Sequence, residues 1–182
     1  NSIEARSARW SPRTRPSSIQ IDSREATEEA RSLFIESVGH HLRSDVPIAL
    51  ALSGGLDSSG IVGAVRSLNP TQAIHSFAYE SPGSPKDESR WSRLVSRVAG
   101  TTHHSVLISE EHANHNLTEA VRFQGEPTNS SSVIAQSHLY KAAADHGFTV
   151  ILDGQGADEL FAGYGGFVEF RLRSLIAQKK FA

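Results

Sequence analysis

Residues 53–59 read Ser-Gly-Gly-Leu-Asp-Ser-Ser and directly follow the apolar run 47–52. A buried strand that leads through a glycine turn into a helix presents free backbone N–H groups and the positive end of the helix dipole to one point in space. Glycine lets the backbone approach a phosphate closely, and serine adds hydroxyl donors. The segment therefore predicts a phosphate-binding loop, whose contacts would come from Ser53, Gly54, Gly55, Ser58 and Ser59.

Asp57 lies among these donors, and the Gly-Lys-Ser/Thr ending of a Walker A loop is missing. A carboxylate beside a triphosphate repels it unless a hard cation such as Mg²⁺ lies between them. The loop therefore predicts magnesium together with a nucleotide. A plain strand-to-helix turn is the alternative interpretation of a glycine pair, but the whole seven-residue string favours phosphate binding.

A second segment repeats this layout after the apolar run 148–152. Residues 153–164 read Asp-Gly-Gln-Gly-Ala-Asp-Glu-Leu-Phe-Ala-Gly-Tyr, a two-glycine turn followed by a helix that opens with two acids. The carboxyl ends of parallel strands lie at one edge of a sheet, so Asp57 and Asp158 can meet although 101 positions separate them. Two carboxylates could then hold one Mg²⁺.

The elements that must position these segments alternate between strands and helices. Alternation with crossover helices predicts parallel pairing. The predicted fold class is therefore α/β, an open and mainly parallel sheet with helices on both faces. Gly100 is expected to cap the third helix, which should bury Trp91, Leu94, Val95 and Val98. Strands are predicted at 47–52, 73–79, 104–108 and 148–152, and helices at 24–42, 57–68, 87–99, 110–123, 132–146 and 167–178.

Together the two segments resemble the synthetase domain of the glutamine-dependent asparagine synthetases, which is of the PP-loop ATP pyrophosphatase type. β-Lactam synthetases and lasso-peptide cyclases carry a similar domain. GMP and NAD synthetases share the first segment but not, as a rule, the second. The resemblance runs from about residue 20 to about residue 170, and the stretches 76–79, 87–88 and 103–104 agree with it.

The resemblance implies a carbon–nitrogen ligase that adenylates a carboxylate, releases pyrophosphate and lets a nitrogen nucleophile displace AMP. In the asparagine synthetases these are aspartate and glutamine-derived ammonia. It implies ATP and Mg²⁺ as cofactors, with Mg²⁺ on Asp57 and Asp158, and it places Gln155 between the α-phosphate and the acceptor. Besides the loop serines and glycines, the nucleotide-binding residues that it implies are Ala51, Phe77, Asp153 and Gly154.

Gln155 departs from the family pattern, because asparagine synthetases commonly carry Glu there and β-lactam synthetases Tyr. Glutamine can orient a substrate through hydrogen bonds but cannot act as a base. The sequence therefore leaves open a paralogue that amidates or cyclises another carboxylate, and a nucleotide-binding module without turnover. Phe77, at the end of the second predicted strand, is compatible with a nucleotide contact and with plain core packing.

Some residues invite functional interpretations that the sequence does not favour. The pairs His103 with His104 and His112 with His115 lack the third ligand that zinc requires. Glu88 belongs to an acidic helix start, which the helix dipole favours, although the resemblance leaves a position near the nucleotide open.

Composition is typical of an ordinary soluble domain. The chain has 182 residues, 38% of them apolar. Its net charge of −2 means that it lacks the excess of basic residues typical of nucleic-acid-binding proteins. No apolar run approaches the roughly 20 residues of a membrane span, and no secretory signal is recognisable. Cysteine is absent, which excludes a disulfide framework and a thiol nucleophile. We expect a cytoplasmic protein without nucleic-acid or membrane partners.

Residues 1–20 are rich in Ser, Arg and Pro and are predicted to be a linker from an N-terminal domain. Residues 21–182 are then the N-terminal portion of the synthetase domain. In the family that the chain resembles, a glutaminase domain with a catalytic cysteine supplies ammonia. We expect that domain to be a partner outside this chain, and the acceptor to be a small-molecule carboxylate. A homodimer is left open.

Overall fold

The computed structural model of the chain describes residues 22–85, 87–107, 117–127 and 131–178. The chain divides into two units, Asn1–Phe34 and Ile35–Ala182. Helix α1, Ser23–His41, begins in the first unit and ends in the second. Asp22 caps its start, since the Oδ1 atom of Asp22 accepts a hydrogen bond of 2.8 Å from the N–H group of the second helical residue.

The second unit contains the predicted alternation of strands and helices. Gly100 ends α3 in the left-handed conformation, with a φ of 65°, as predicted. None of the helices in the described ranges combines the length and the apolar composition that a membrane crossing requires. The elements are β1 Ile48–Ala51, α2 Leu56–Leu68, β2 His75–Glu80, α3 Ser89–Ala99, β3 Thr102–Leu107, α4 Leu117–Gln124, α5 Ser131–Asp145, β4 Val150–Leu152, α6 Ala157–Phe161 and α7 Gly165–Ala177.

Three sequence predictions fall partly or wholly outside the described residues. These are the linker 1–20, the first part of the helix predicted at 110–123, and the middle of the connection before α5. His112 and His115 lie in the second of these segments. Their interpretation therefore stays a prediction.

The four described strands form one parallel sheet in the order β3-β2-β1-β4. In the pairing of β1 with β2, Ala51 lies opposite Phe77. In the pairing of β1 with β4, Leu50 lies opposite Leu152. The chain adds β2 and β3 on one side of β1 and then returns to place β4 on the other side. The gap between the carboxyl ends of β1 and β4 is therefore the topological switch point, where α/β sheets bind ligands.

Helices cover both faces of this sheet, as predicted. On one face, Ala49 and Phe77 are buried against Leu139 and Ala143 of α5. Side chains alternate between faces along a strand, so Ser76 points the other way. Its hydroxyl lies 2.8 Å from the hydroxyl of Thr101, the residue that joins α3 to β3. On that same face α2 packs beside α3.

Helix α3 buries a different side from the predicted one. Ser92 and Ser96 are buried, and the Ser96 hydroxyl lies 2.7 Å from the hydroxyl of Thr101. Small serine side chains let the helix approach the sheet while their hydroxyl groups find partners, and this polar contact replaces the expected apolar one. Three of the four apolar residues predicted to be buried are exposed, Trp91 at 48%, Leu94 at 43% and Val98 at 81%, and Val95 is half-buried.

Candidate functional site

The loop after β1 is held together by its own serines. Ser53 Oγ accepts a hydrogen bond of 3.1 Å from the Gly55 N–H and lies 3.0 Å from Ser58 Oγ. Ser58 Oγ in turn donates to the Gly55 carbonyl at 3.3 Å. These bonds tie the glycine turn to the first turn of α2 and so fix the shape of the loop.

Gly54 lies directly against the first turns of α3. Its φ of 88° is a left-handed value that side chains disfavour. A Cβ at this position would lie 2.4 Å from the Ser92 nitrogen and 2.5 Å from the Trp91 carbonyl carbon. Both conformation and space therefore demand glycine, and the backbone of α3 forms the rear wall of the loop.

The N-terminus of α2 offers unused donors. Gly55 is its N-cap residue without any side-chain cap, and the Ser59 N–H makes the first bond along the helix, to Gly55 O at 3.0 Å. By helix geometry, the N–H groups of residues 56–58 have no acceptor within the helix. The Ser59 hydroxyl oxygen is buried and has no hydrogen-bond partner among the described residues. An unpartnered buried hydroxyl beside free N–H groups fits a phosphate oxygen.

The turn after β4 packs onto this helix start. A Cβ built on Gly154 would lie 3.1 Å from the Asp57 Cβ and 3.3 Å from the Ser58 nitrogen. Both distances are shorter than about nine in ten of the contacts that Cβ atoms make in proteins. The two predicted segments therefore touch at the switch point, as their common position after parallel strands predicts.

Asp153 fixes the backbone of this second turn. Its Oδ1 accepts a hydrogen bond of 3.0 Å from the Gln155 N–H. Its Oδ2 accepts hydrogen bonds from Tyr140 Oη at 3.0 Å and from Gln136 Nε2 at 3.3 Å, both on α5. Burial and the neighbouring Asp153 carboxylate raise the pKa of Tyr140 to about 12. The phenol therefore stays protonated and donates to Asp153 at any physiological pH.

Asp158 is the second residue of α6, as Asp57 is the second residue of α2. Its carboxylate lies against Gly163, so close that a side chain at Gly163 would collide with Oδ1. The described residues contain no group of three or more His, Cys, Asp or Glu side chains arranged to hold a metal. Mg²⁺ at nucleotide sites commonly takes one or two carboxylates and completes its shell with phosphate oxygens and water. Asp57 and Asp158 match that donor chemistry, and their sharing of one Mg²⁺ stays a prediction.

The other predicted contacts lie at the same edge of the sheet. The Phe77 side chain is fully buried and stacks on His104, with ring centroids 4.4 Å apart. Of the two interpretations, a nucleotide contact and core packing, the second therefore describes the Phe77 side chain. Its carbonyl accepts a 2.8 Å hydrogen bond from the Leu52 N–H, just beyond Ala51. Ala51 is the last residue of β1, whereas Phe77 is the third of the six residues of β2 and does not end its strand as predicted. A nucleotide contact by the backbone of Ala51 or Phe77 stays a prediction, as does the role of the exposed Gln155 side chain.

His104 packs on the face of the sheet that carries Phe77. His104 stacks on Phe77, and its Nε2 atom lies 3.0 Å from His75 Nδ1. Burial, then the nearby rings of His146 and His75, lower the pKa of His104. The ring is therefore neutral at physiological pH.

Sequence reasoning missed two hydrogen-bonded groups at the carboxyl edge of the sheet. The first is the pair Gln136 and Tyr140, whose spacing of four places both on one face of a helix and was the only available signal. The second is Glu80, a lone acid at the end of an apolar strand. Glu88, which the resemblance left open as a nucleotide neighbour, is an exposed N-cap residue without a side-chain cap bond.

Asp87, rather than Glu88, holds the start of α3. Its Oδ1 accepts hydrogen bonds from the Ser81 N–H at 3.3 Å and the Ser89 N–H at 3.2 Å. Its Oδ2 accepts one from the Ser89 hydroxyl at 2.9 Å. Desolvation opposes ionisation, but these hydrogen bonds outweigh it and hold the pKa of Asp87 below its usual value.

A cavity of about 670 Å³ is lined by residues of α4 and α5. Gln136 and Tyr140, the two partners of Asp153, are among its lining residues. Lys141 and Asp145 also line it and form an ion pair with each other at 3.1 Å.

Comparison with known proteins agrees with these observations. Asparagine synthetase [glutamine-hydrolyzing] 1 of Bacillus subtilis is 33% identical over 151 residues, which cover 83% of this chain and 23% of the relative. Asparagine synthetase B of Escherichia coli is 31% identical over 152 residues, with coverages of 75% and 27%. Amidase chyE of Penicillium rubens is 30% identical over 168 residues, with coverages of 84% and 25%.

Among solved structures, the NH3-dependent NAD synthetase from Campylobacter jejuni is 20% identical, with a TM-score of 0.46, and the match covers 80% of this chain and 62% of that one. The chain spans about a quarter of the length of the curated relatives named above. The family model described as asparagine synthase matches residues 29–180. Since that match takes in most of the sequence, the chain belongs to the asparagine synthase family.

Proposed function

We propose that this chain provides the site at which an ATP-dependent, amide-forming ligase binds ATP and activates a carboxylate. In the proposed reaction, a carboxylate oxygen of the acceptor attacks the α-phosphate of ATP and pyrophosphate leaves. A nitrogen nucleophile then attacks the acyl carbon, and AMP leaves. The observation that carries the proposal is the packing of Gly154 on Asp57, because it joins the phosphate-binding loop and the second family segment into one site.

The loop residues would bind the departing pyrophosphate. The free N–H groups of residues 56–58 and the unpartnered Ser59 hydroxyl point to an oxyanion at the start of α2. Gly54 and Gly55 leave room for it, and Ser53 and Ser58 hold the turn in shape. Fixed donors of this kind stabilise charge without reorganising during the reaction.

Asp57 and Asp158 are the proposed magnesium ligands, together with phosphate oxygens of the nucleotide. When bound, Mg²⁺ would neutralise the charge that develops on the bridging oxygen between the α- and β-phosphates. The two acids occupy equivalent positions after β1 and β4, one on each side of the switch point. The nucleotide itself would contact the backbone at Ala51, Phe77, Asp153 and Gly154.

Gln155 is proposed to orient the acceptor. Its backbone is held by Asp153, and its side chain is exposed at the tip of the turn. With aspartate as acceptor and ammonia from a glutaminase domain, the product would be asparagine, in line with the names of the relatives from Bacillus subtilis and Escherichia coli.

A second candidate is the amidation or cyclisation of another carboxylate. Two observations favour it. Gln155 replaces the acid that is common in asparagine synthetases, and a fungal relative with nearly the same identity is named an amidase. In this case the loop chemistry is unchanged and the acceptor differs; in a cyclisation the nitrogen nucleophile also belongs to the acceptor molecule.

The test is pyrophosphate release by the whole protein, with ATP, Mg²⁺, ammonium and a panel of carboxylic acids. Release that depends on one acid, with equal formation of AMP and of an amide or ring product, is expected and identifies the acceptor. Asp57→Asn should abolish it, whereas the exposed control Asp145→Asn should retain it. ATP binding without pyrophosphate release for any acid would instead indicate a nucleotide-binding module.

A further inference from the structure

Glu80, the last residue of β2, is a carboxylate with no solvent exposure. Its Oε1 accepts hydrogen bonds from Arg93 Nε at 2.9 Å and from Ser105 Oγ at 2.8 Å. Its Oε2 accepts a second hydrogen bond from Arg93, through Nη2. His103 Nε2 lies 3.5 Å from Oε1. The carboxylate is therefore fully paired, with a two-point contact to the guanidinium as its main partner.

Arg93 belongs to α3 and lies one residue beyond the backbone that touches the phosphate-binding loop. The Trp91 carbonyl carbon and the Ser92 nitrogen are the atoms against which Gly54 packs. An unbroken set of contacts therefore runs from Glu80 on β2, through Arg93, to the wall behind Gly54.

These contacts matter because few other side-chain contacts attach the part of α3 near Gly54 to the sheet. The apolar residues Trp91, Leu94 and Val98 of α3 are exposed. Side-chain hydrogen bonds towards the sheet come from Arg93, to Glu80, and from Ser96, to Thr101 beside β3. Asp87 ties only the start of the helix, through Ser81 and Ser89. The ion pair is thus the strongest directional contact in the part of α3 that adjoins the loop.

We propose that Glu80 and Arg93 are a positioning pair for the phosphate-binding loop: they fix α3 to β2 and thereby hold the backbone on which Gly54 rests. The pair touches neither nucleotide nor acceptor. It acts through the geometry of residues 53–59, and its effect on ligand binding rests on the nucleotide site proposed above.

Arg66 of α2 offers a matched control, because it contacts the far end of α3. Arg66 of α2 donates to the carbonyl oxygens of Ala99 at 2.8 Å and Gly100 at 3.1 Å. It also donates to Pro70 O and Gln72 O, each at 2.9 Å. Arg66 therefore anchors the end of α3 that lies away from Gly54, through at least as many hydrogen bonds as Arg93 makes.

The experiment compares three variants of the whole protein. The double variant Glu80→Gln with Arg93→Met removes the pair without leaving an unpaired buried charge. Arg93→Lys keeps the charge but loses the two-point contact. Arg66→Met is the control. The first readout is hydrogen exchange of peptides covering residues 52–59, measured without ligand, and the second is the dissociation constant for MgATP.

Removal of the pair should speed exchange across residues 52–59 and weaken MgATP binding about tenfold or more, which corresponds to roughly 1.4 kcal/mol. Arg93→Lys should give intermediate values. Arg66→Met should speed exchange near residues 69–74 and 99–102 but leave the loop and the dissociation constant nearly unchanged.

Equal effects of the double variant and Arg66→Met on the loop would overturn the positioning role, because both would then act through general stability. Unchanged loop exchange in the double variant would overturn it as well. If the unaltered protein binds no MgATP, the proposed function fails, and loop exchange alone decides whether the pair positions residues 53–59. If the double variant does not fold, Arg93→Lys measured against Arg66→Met decides the same question.

Discussion

Gly154 and Asp57 are in contact across the switch point of the sheet, with 3.1 Å between the position of a Cβ on Gly154 and the Asp57 Cβ. Gly154 lies within the turn that joins β4 to α6, and Asp57 is the second residue of the helix after β1. The acid proposed to bind magnesium in one segment is thereby placed beside the turn proposed to face the acceptor in the other.

Gly154→Ala should weaken nucleotide binding. The added methyl group meets Asp57 and the Ser58 backbone at distances that force a shift of a few tenths of an ångström. Titration calorimetry with MgATP should show a clear rise in the dissociation constant. Gly63→Ala is the control, because nothing lies within 4 Å of its new methyl group. In the interior of α2 that change should stabilise the fold by about 0.5–1 kcal/mol and leave binding unchanged. Equal affinities of the two variants would contradict the contact.

Asp57→Asn should weaken binding of ATP in the presence of Mg²⁺ far more than in its absence. The substitution removes the negative charge that attracts the cation. When no cation is present, removal of this charge also relieves its repulsion of the phosphates. Calorimetric titrations with and without Mg²⁺ measure the two effects separately. Equal losses in both conditions would remove Asp57 from the metal site. Asp145→Asn, in an exposed ion pair on α5, should change neither titration.

Tyr140→Phe should lower turnover while the protein stays folded. The change removes a 3.0 Å hydrogen bond to Asp153, the residue that also holds the Gln155 N–H. The expected loss of unfolding free energy is about 1 kcal/mol. Tyr79→Phe is the control, since the described residues offer its hydroxyl no hydrogen bond. Normal turnover in Tyr140→Phe would show that the Asp153 network is only structural.

The stability of the protein should depend on Glu80 in acid. The hydrogen bonds from Arg93, opposed by burial and aided by Ser105, lower the pKa of Glu80 from 4.5 to about 2. The folded state therefore holds this proton less tightly than the unfolded state. The stabilisation is fully present above pH 4.5 and is lost as the pH falls towards 2.

Urea unfolding of the unaltered protein and of Glu80→Gln at a series of pH values measures this loss. The difference in unfolding free energy between the two should shrink steadily over the interval from pH 4.5 to about 2. A difference that stays constant across that interval would show that the ionised pair contributes nothing.

Local sequence patterns determined much of this protein. The glycine and serine spacing of residues 53–59 and the two-glycine turn at 154–156 were recognisable because each follows an apolar run and precedes a helix start. Strand-turn-helix geometry depends on neighbouring residues, so these segments and the α/β class could be predicted.

Long-range packing decided the rest. The order β3-β2-β1-β4 brings β4 beside β1, and no local pattern encodes which strands become neighbours. The same holds for α3: its periodicity showed an apolar face with Trp91, but not that the sheet would receive Ser92 and Ser96 instead. Partners such as Glu80 with Arg93 meet only after the chain has folded, because pairing of charges depends on distance in space and not on spacing along the chain.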